Sequence, residues 1–339
     1  MTPLRVLLAP WWALQLATGA KAFSDNPLLG SRRLNRLGLH VARVRAAQAM
    51  AAFRRRRLAR LIDPAHAAAF ARDGFVRIDD FLPADLFAAL RAQVMGFAGP
   101  ARETIQGDAI TRRYAIDRAA LTAIPAMRAL LGDRRWRGLT RYIDSSDTEP
   151  LLYIQSILSH RVDAPPDPQT ALHADTFHPT MKAWLFLTDV TDADGPLTYV
   201  AGSHRMTPAR LAWERERSLR IHDGLDRLSQ RGSLRIGEEE LAGLGLPQAT
   251  RFAVPANTLV VCDTSGFHAR GLSTRPSVRV EIWAYGRRNP FLPWTGLSPG
   301  SLPGIAGRRV PLWWRLCDRF PRLLGRQWHP AGIKRPTDP

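Results

Sequence analysis

The stretch that decides the fold reads His173-Ala-Asp-Thr-Phe-His-Pro-Thr-Met-Lys-Ala-Trp-Leu-Phe-Leu-Thr188 and, after three residues, Asp192-Ala-Asp-Gly-Pro-Leu-Thr-Tyr-Val-Ala-Gly-Ser-His-Arg205. It contains two short apolar runs, 183–188 and 197–200. Turn formers separate and close them, Asp192-Ala-Asp-Gly195 and Ala201-Gly-Ser203. Runs of this length bounded by Gly, Asp and Ser predict buried strands rather than helices. Working outward, similar runs lie at 151–158, 258–262 and 278–285, and 74–79 alternates like a half-buried strand. Residues 64–72 and 83–95 read as helices. Short strands in series, with helices mainly before them, predict an α+β protein built on a sandwich or barrel. A charged, helical-looking stretch at 207–245 interrupts the strands and has the size of a lid or substrate wall.

Within this stretch His173 and Asp175 are two residues apart. On a strand such residues share a face, so both can reach one metal ion, and a distant histidine can complete the set. Two histidines and one carboxylate leave coordination positions open, as non-haem Fe(II) oxygen chemistry requires. Alone, a His-x-Asp triplet is far more often the mark of two side chains satisfied by local hydrogen bonds.

The surroundings carry more. The run from His173 through Trp184 and Gly195 to Ala201-Gly-Ser-His204 resembles the phytanoyl-CoA dioxygenase (PhyH) family of Fe(II)/2-oxoglutarate-dependent oxygenases. Asp73-Gly-Phe-Val-Arg-Ile-Asp-Asp-Phe-Leu82 resembles that family's N-terminal signature, and Phe267-His268 followed by Arg279 resembles its distal end. The resemblance spans 70–285. It implies a double-stranded β-helix (jelly-roll, cupin-like) core with flanking helices. It also implies that His173, Asp175 and His268 bind Fe(II), and that Arg279 pairs with the far carboxylate of the cosubstrate 2-oxoglutarate. A planar guanidinium suits that task. Arg275 competes for this role, but its place before Pro276 suggests a loop. Trp184 and Gln155 match positions from which the family lines the cosubstrate pocket. Arg270 stands where the family often has Ser. His160, His178 and His204 read as structural, with His178 a candidate to face substrate. The implied reaction is C–H hydroxylation with O2, releasing succinate and CO2, and an aspartate at 175 favours hydroxylation over halogenation.

The charge is unevenly spread. Of 48 Lys and Arg against 30 Asp and Glu, residues 1–61 hold 12 bases and one acid, and 286–339 hold 10 and two. The centre, 62–285, is left with a net charge of −1. This predicts an oxygenase domain at 62–285 between two basic arms. A neutral centre argues against a nucleic-acid-directed oxygenase, the alternative with the same iron chemistry, and intact site residues argue against a non-catalytic metal- or lipid-binding barrel. The first arm carries an apolar, Trp-containing run at 6–17, signal-like in outline but broken by Pro10 and too short to span a bilayer. Arg54 to Arg57 read as a solvated helix face or a contact for an anionic partner. In the second arm Trp313, Leu316 and Phe320 fall on one helical side and Arg315, Arg319, Arg322 and Arg326 largely on another, with a break at Pro321. The arms therefore suit either contact with an anionic membrane or packing against the core, and an acyl or lipid-like substrate is the expectation. Two cysteines, Cys262 and Cys317, fit a reducing, cytoplasmic setting, with peripheral contact at the inner membrane face.

Overall fold

In the computed structural model, the described residues are 3–298, 300, 302 and 305–339, with side chains described from residue 8 onward except Ala306. Arg5 and Val6, which begin the signal-like run, therefore lie outside the described side chains. Eleven strands form two antiparallel sheets. They are β1 (Phe75–Ile78), β2 (Gly99–Gln106), β3 (Ala109–Ala115), β4 (Leu151–Ser159), β5 (Met181–Phe186), β6 (Leu197–Tyr199), β7 (Thr250–Arg251), β8 (Leu259–Asp263), β9 (His268–Arg270), β10 (Ser277–Gly286) and β11 (His329–Lys334). The large sheet runs β1-β8-β5-β10-β4-β3-β2-β11, and the small one β7-β6-β9. This is the α+β jelly-roll core expected from the sequence.

Period-two alternation makes the large sheet two-faced. On β10, Val280, Ile282 and Ala284 are buried in one apolar core with Ala183 and Leu185 of β5 and Leu259 and Val261 of β8. Helices cover that face: Phe70, Leu90, Val94, Met127, Leu130, Trp136, Leu139 and Ile143 belong to the same core. The other face points toward the small sheet, where Trp184, Phe186, Val260 and Trp283 pack with Leu197 and Tyr199. The same alternation sets Arg279, Glu281, Trp283 and Tyr285 on this inner face.

The turn at 192–195 has a physical requirement. Gly195 has φ of +66°, and a Cβ there would lie 2.6 Å from the Gly271 carbonyl oxygen, so only glycine fits.

The terminal segments pack on this frame. Phe23 and Leu29 join a third core with Trp213, Ile236 and Phe267. Helix Leu39–Leu58 lies against helix Pro208–Leu219, where buried His40 meets buried Glu214 at 2.8 Å. The arginine run is split. Arg54 is buried and donates to the carbonyls of Ser145, Pro290 and Leu292, and Arg55 reaches Asp263 at 3.1 Å, while Arg56 and Arg57 are exposed. The solvated face expected for all four residues is thus corrected: only half of it meets solvent. At the other end, β11 adds an edge strand to β2, and the helix expected there runs Arg309–Arg319, a second short helix starting at Pro321. Val310 and Trp314 are the buried contacts of that helix, and Trp313, Leu316 and Phe320 are each about half exposed.

Candidate metal centre and cosubstrate pocket

His173 and His268 are brought together by backbone pairing. Each donates its N–H to the other's carbonyl, at 3.0 and 2.9 Å, a hydrogen-bonded antiparallel pair. The regular strand expected around His173 is absent: the residue makes isolated bridges only, to His268 and Arg235. Pairing stops there because Ala174 bonds Leu234 and Asp175 bonds Thr264, neither on β9. Asp175 still turns to the same side as His173.

The imidazoles have defined tautomers. Nδ1 of His173 donates to the Ala171 carbonyl (2.8 Å) and Nδ1 of His268 to the Gly266 carbonyl (3.0 Å). Both Nε2 atoms are then lone-pair acceptors, each 3.7 Å from Oδ1 of Asp175. Nε2 of His268 is buried with no hydrogen-bond partner. Three acceptors converge with no donor between them, and their ligating atoms all lie within 4.8 Å of one another. Such a buried site satisfies itself with a cation, and two imidazoles and a carboxylate fit a divalent first-row transition metal. Among the described residues this is the one such group of His, Cys, Asp and Glu.

The charges agree with that chemistry. Burial, then the neighbouring His268, lowers His173 to about 3, and burial lowers His268 as well, so both rings are neutral at pH 7, the form that can coordinate a metal. Burial would raise Asp175, but Lys182 foremost, with the two histidines, holds it well below the ordinary carboxylate range. Nζ of Lys182 sits 2.6 Å from Oδ2 of Asp175 and turns Oδ1 toward the histidines.

The triad opens into a cavity of about 870 Å³. Arg279, Trp184 and Gln155 all line it, as does Arg270. Arg275 does not. It pairs with Asp194 at 2.8 Å beside the 192–195 turn. Register builds a polar row across the inner face, since Arg113, Gln155 and Glu281 are direct neighbours on β3, β4 and β10. Arg113 donates to Gln155 (2.6 Å), Gln155 to Glu281 (2.6 Å), and Glu281 pairs with Nε of Arg279 (3.0 Å). Nη1 of Arg279 donates to the Gly195 carbonyl (2.8 Å), which ties the turn to the pocket. Trp184 and Trp283, opposite each other on β5 and β10, form the neighbouring aromatic row. His178 is fully buried, does not line this cavity, and donates from Nδ1 to the Pro179 carbonyl.

Residues 70–231 match the model of the phytanoyl-CoA dioxygenase (PhyH) family. The match covers a little under half of the chain, and over that stretch the chain resembles the family. The family is one of 2-oxoglutarate-dependent, non-haem iron enzymes, and the geometry of the triad fits that chemistry. No curated protein matches the chain. Among solved structures, the epimerase SnoN with Fe3+, alpha-ketoglutarate and nogalamycin RO is 21% identical over 66% of this chain and 84% of its own, with a TM-score of 0.45. HygX from Streptomyces hygroscopicus, with nickel and 2-oxoglutarate, is 19% identical over 66% and 87%, TM-score 0.39. EctD from S. alaskensis, with 2-oxoglutarate and 5-hydroxyectoine, is 19% identical over 72% and 86%, TM-score 0.40.

The match to the phytanoyl-CoA dioxygenase family ends before His268 and Arg279, so geometry alone joins those two to the site. Several pocket residues escape the sequence reading. Lys182 has a readable signal, because a lysine two places before Trp184 shares its strand face. Glu281 alternates with Val280 and Ile282 in the same way. Arg113 has little signal, since the hairpin β2–β3 lacks an apolar run. Lys21, Trp314 and Trp328 line the cavity from the terminal segments, and nothing local marks them. Burial first, then Arg287, Lys182 and Arg235, lower Lys21 to about 8 against the opposing pull of Asp175.

Proposed function

We propose that the protein hydroxylates an aliphatic C–H bond of a small acyl or lipid-like molecule, with His173, Asp175 and His268 as the Fe(II) ligands. The observation that carries the metal assignment is the convergence of the two Nε2 atoms and Oδ1 of Asp175 with no donor among the three, the Nε2 of His268 being buried without a hydrogen-bond partner. Bound Fe(II) with 2-oxoglutarate and O2 supplies oxidative decarboxylation to succinate and CO2, coupled to hydroxylation of the substrate. The chain's own groups prepare for it. The carbonyls of Ala171 and Gly266 orient the imidazoles, and Lys182 orients the carboxylate. Arg279 would pair with the far carboxylate of 2-oxoglutarate, and Gln155 and Trp184 would shape the pocket around it, since all three line the cavity. Leu151, Tyr153, Trp283, Tyr285 and Trp313 supply an apolar stretch that could take an acyl chain, within a lining that also carries Gln106, Gln169 and Arg326.

Peripheral contact with an anionic membrane at the cytoplasmic face belongs to the same proposal. Its support is apolar surface beside arginines: Trp11 and Leu14 on the first helix, and Trp313, Leu316, Phe320 and Leu323 near Arg315, Arg319 and Arg322. No helix among the described residues is long and apolar enough to cross a membrane.

Succinate release from 2-oxoglutarate, measured with Fe(II) and O2 against lipid extracts alongside a search for a gain of one oxygen, tests the reaction. His173→Ala and Arg279→Ala should each lower coupled turnover at least ~100-fold, the scale of losing a ligand or an anchoring charge. Wild-type turnover in either variant refutes the assignment. Sedimentation with phosphatidylglycerol vesicles at low and high salt tests the membrane contact, and absence of binding in both rejects it.

A further inference from the structure

The segment before residue 22 reaches the cavity through Lys21. Five successive carbonyls there are each held by a side chain. Arg43 donates to Leu16 (3.0 Å), Thr18 (2.8 Å) and Ala20 (2.8 Å), Asn289 to Ala17 (3.2 Å), and Arg287 to Gly19 (2.7 Å). Arg43 is buried, with its guanidinium 4.3 Å from the centre of the Phe177 ring. Phe23 and Ser24 donate to the Gln230 carbonyl, which fastens the far side of the segment to the insertion. A strap held at this many points has little freedom, and Lys21 sits within it.

Lys21 is aimed at the metal centre. Its ammonium donates to the main-chain carbonyl of Asp175. The insertion comes up against its backbone: a Cβ on Gly232 would lie 2.3 Å from the Lys21 carbonyl oxygen, so the chain next to Arg231 is in contact there. Arg287, at the end of β10, is bonded to Gly19, two residues before Lys21. Lys21, Arg231, Arg287 and Lys182 all line the cavity with the triad. The ion pair of Asp175 goes to Lys182. Lys21, Arg231 and Arg287 have no carboxylate within ion-pairing distance among the described residues. Three cations from three segments, gathered around a site that itself takes a dication, are an electrostatic cost to the folded protein unless an anion joins them. The same cavity also presents apolar side chains, Tyr285 stacked on Trp283 with ring centres 5.6 Å apart, Leu151 and Trp313, among its polar ones.

We propose that Lys21, Arg231 and Arg287 form the anion-binding end of the substrate site, taking the carboxylate or phosphate head of an apolar-chain substrate and thereby setting which carbon faces the triad. This rests on the oxygenase reading of the cavity. It makes the N-terminal strap part of the substrate site.

The test uses the full chain with Fe(II) and 2-oxoglutarate under argon, titrated calorimetrically with decanoate, decyl phosphate and decanol. Decanoate or decyl phosphate should bind at least tenfold more tightly than decanol, and the better of the two identifies the head group. Lys21→Gln and Arg287→Gln should each weaken the preferred anion about tenfold and leave decanol unchanged. Lys21→Arg, which keeps the charge, should stay within about threefold of wild type. Equal affinity for decanol and both anions overturns the proposal, as does undiminished anion binding in both Gln variants. Should Lys21→Gln lose its thermal transition, Arg287→Gln, just past the end of β10, decides alone. Succinate release by the wild-type sample on admitting air reports the oxygenase reading separately. Turnover with charge-blind binding rejects only the anion site, and charge-selective binding without turnover rejects only the oxygenase assignment.

Discussion

Replacing Glu214 by glutamine should loosen the site from a distance. Glu214 is 1% exposed and accepts from His40 at 2.8 Å and from Nη2 and Nε of Arg210 at 2.9 and 3.2 Å. Arg210, 2% exposed, also donates to the Ser203 carbonyl at 2.9 Å, and its guanidinium lies 3.8 Å from the centre of the Phe267 ring, next to His268. One carboxylate thus joins helix Leu39–Leu58, the insertion and the segment leading to His268. Glutamine keeps the shape but removes the charge and turns a donor toward a donor. Removing one partner of a buried ion pair costs about 3–5 kcal/mol, a large share of the roughly 5–15 kcal/mol of a folded domain. At roughly 2–4 °C per kcal/mol in a chain of more than 150 residues, the thermal midpoint at pH 7 should fall by about 10 °C. The pH dependence supplies a sign. Burial would raise Glu214, yet Arg210 and His40 hold it down to about 2 against an ordinary 4.5. Its contribution is therefore complete above about pH 4.5 and is lost as pH falls toward 2. Thermal unfolding of both proteins from pH 7 to pH 3, followed by circular dichroism, should show the gap between them closing below about pH 4.5. A gap under ~1 kcal/mol at pH 7, or one that stays constant to pH 3, refutes the reasoning.

Two further outcomes follow from buried charges. Asp144, buried near Arg54 and Arg288, is pushed up by burial to about 8, so the folded state holds a proton that the unfolded chain releases near pH 4. Stability should fall as pH rises between those values. Asp144→Asn should remove that slope and be more stable than wild type at pH 8 by on the order of 2 kcal/mol. Parallel pH profiles in denaturant unfolding count against it. Arg54→Met leaves the Ser145, Pro290 and Leu292 carbonyls without their donor and should cost about 2–4 kcal/mol. Arg56→Gln and Arg57→Gln, at exposed positions, should stay within about 0.5 kcal/mol, and equal effects across the three in urea unfolding would show that the run acts as one surface.

The strands that build the centre are legible because their cores are local patterns. The expected runs at 151–158, 183–188, 197–200, 258–262 and 278–285 coincide with β4, β5, β6, β8 and β10 within two residues at each end. Alternation on β10 further implies that Arg279 and Glu281 share a face. The hairpin β2–β3 and the edge strand β11 are not legible. They are rich in charged and small residues, and β11 carries Pro330 and Gly332, which an edge strand tolerates because one side has no ladder to complete.

The sequence by itself determined the chemistry available to the protein: the family motifs, His173 and Asp175 two residues apart, and a distant His268 and Arg279 in a known order. The uneven charge was also legible, with its excess in the first 61 and last 54 residues. What those charges do was decided only by the tertiary structure. Arg43 and Arg54 are spent on backbone carbonyls, and Lys21 arrives at the Asp175 carbonyl from more than 150 positions away. The reason is physical. Strand alternation and turn residues are local and are written in neighbouring positions. The partner of a buried cation is whichever carbonyl or carboxylate the fold brings within about 3 Å, and no short stretch of sequence encodes that meeting.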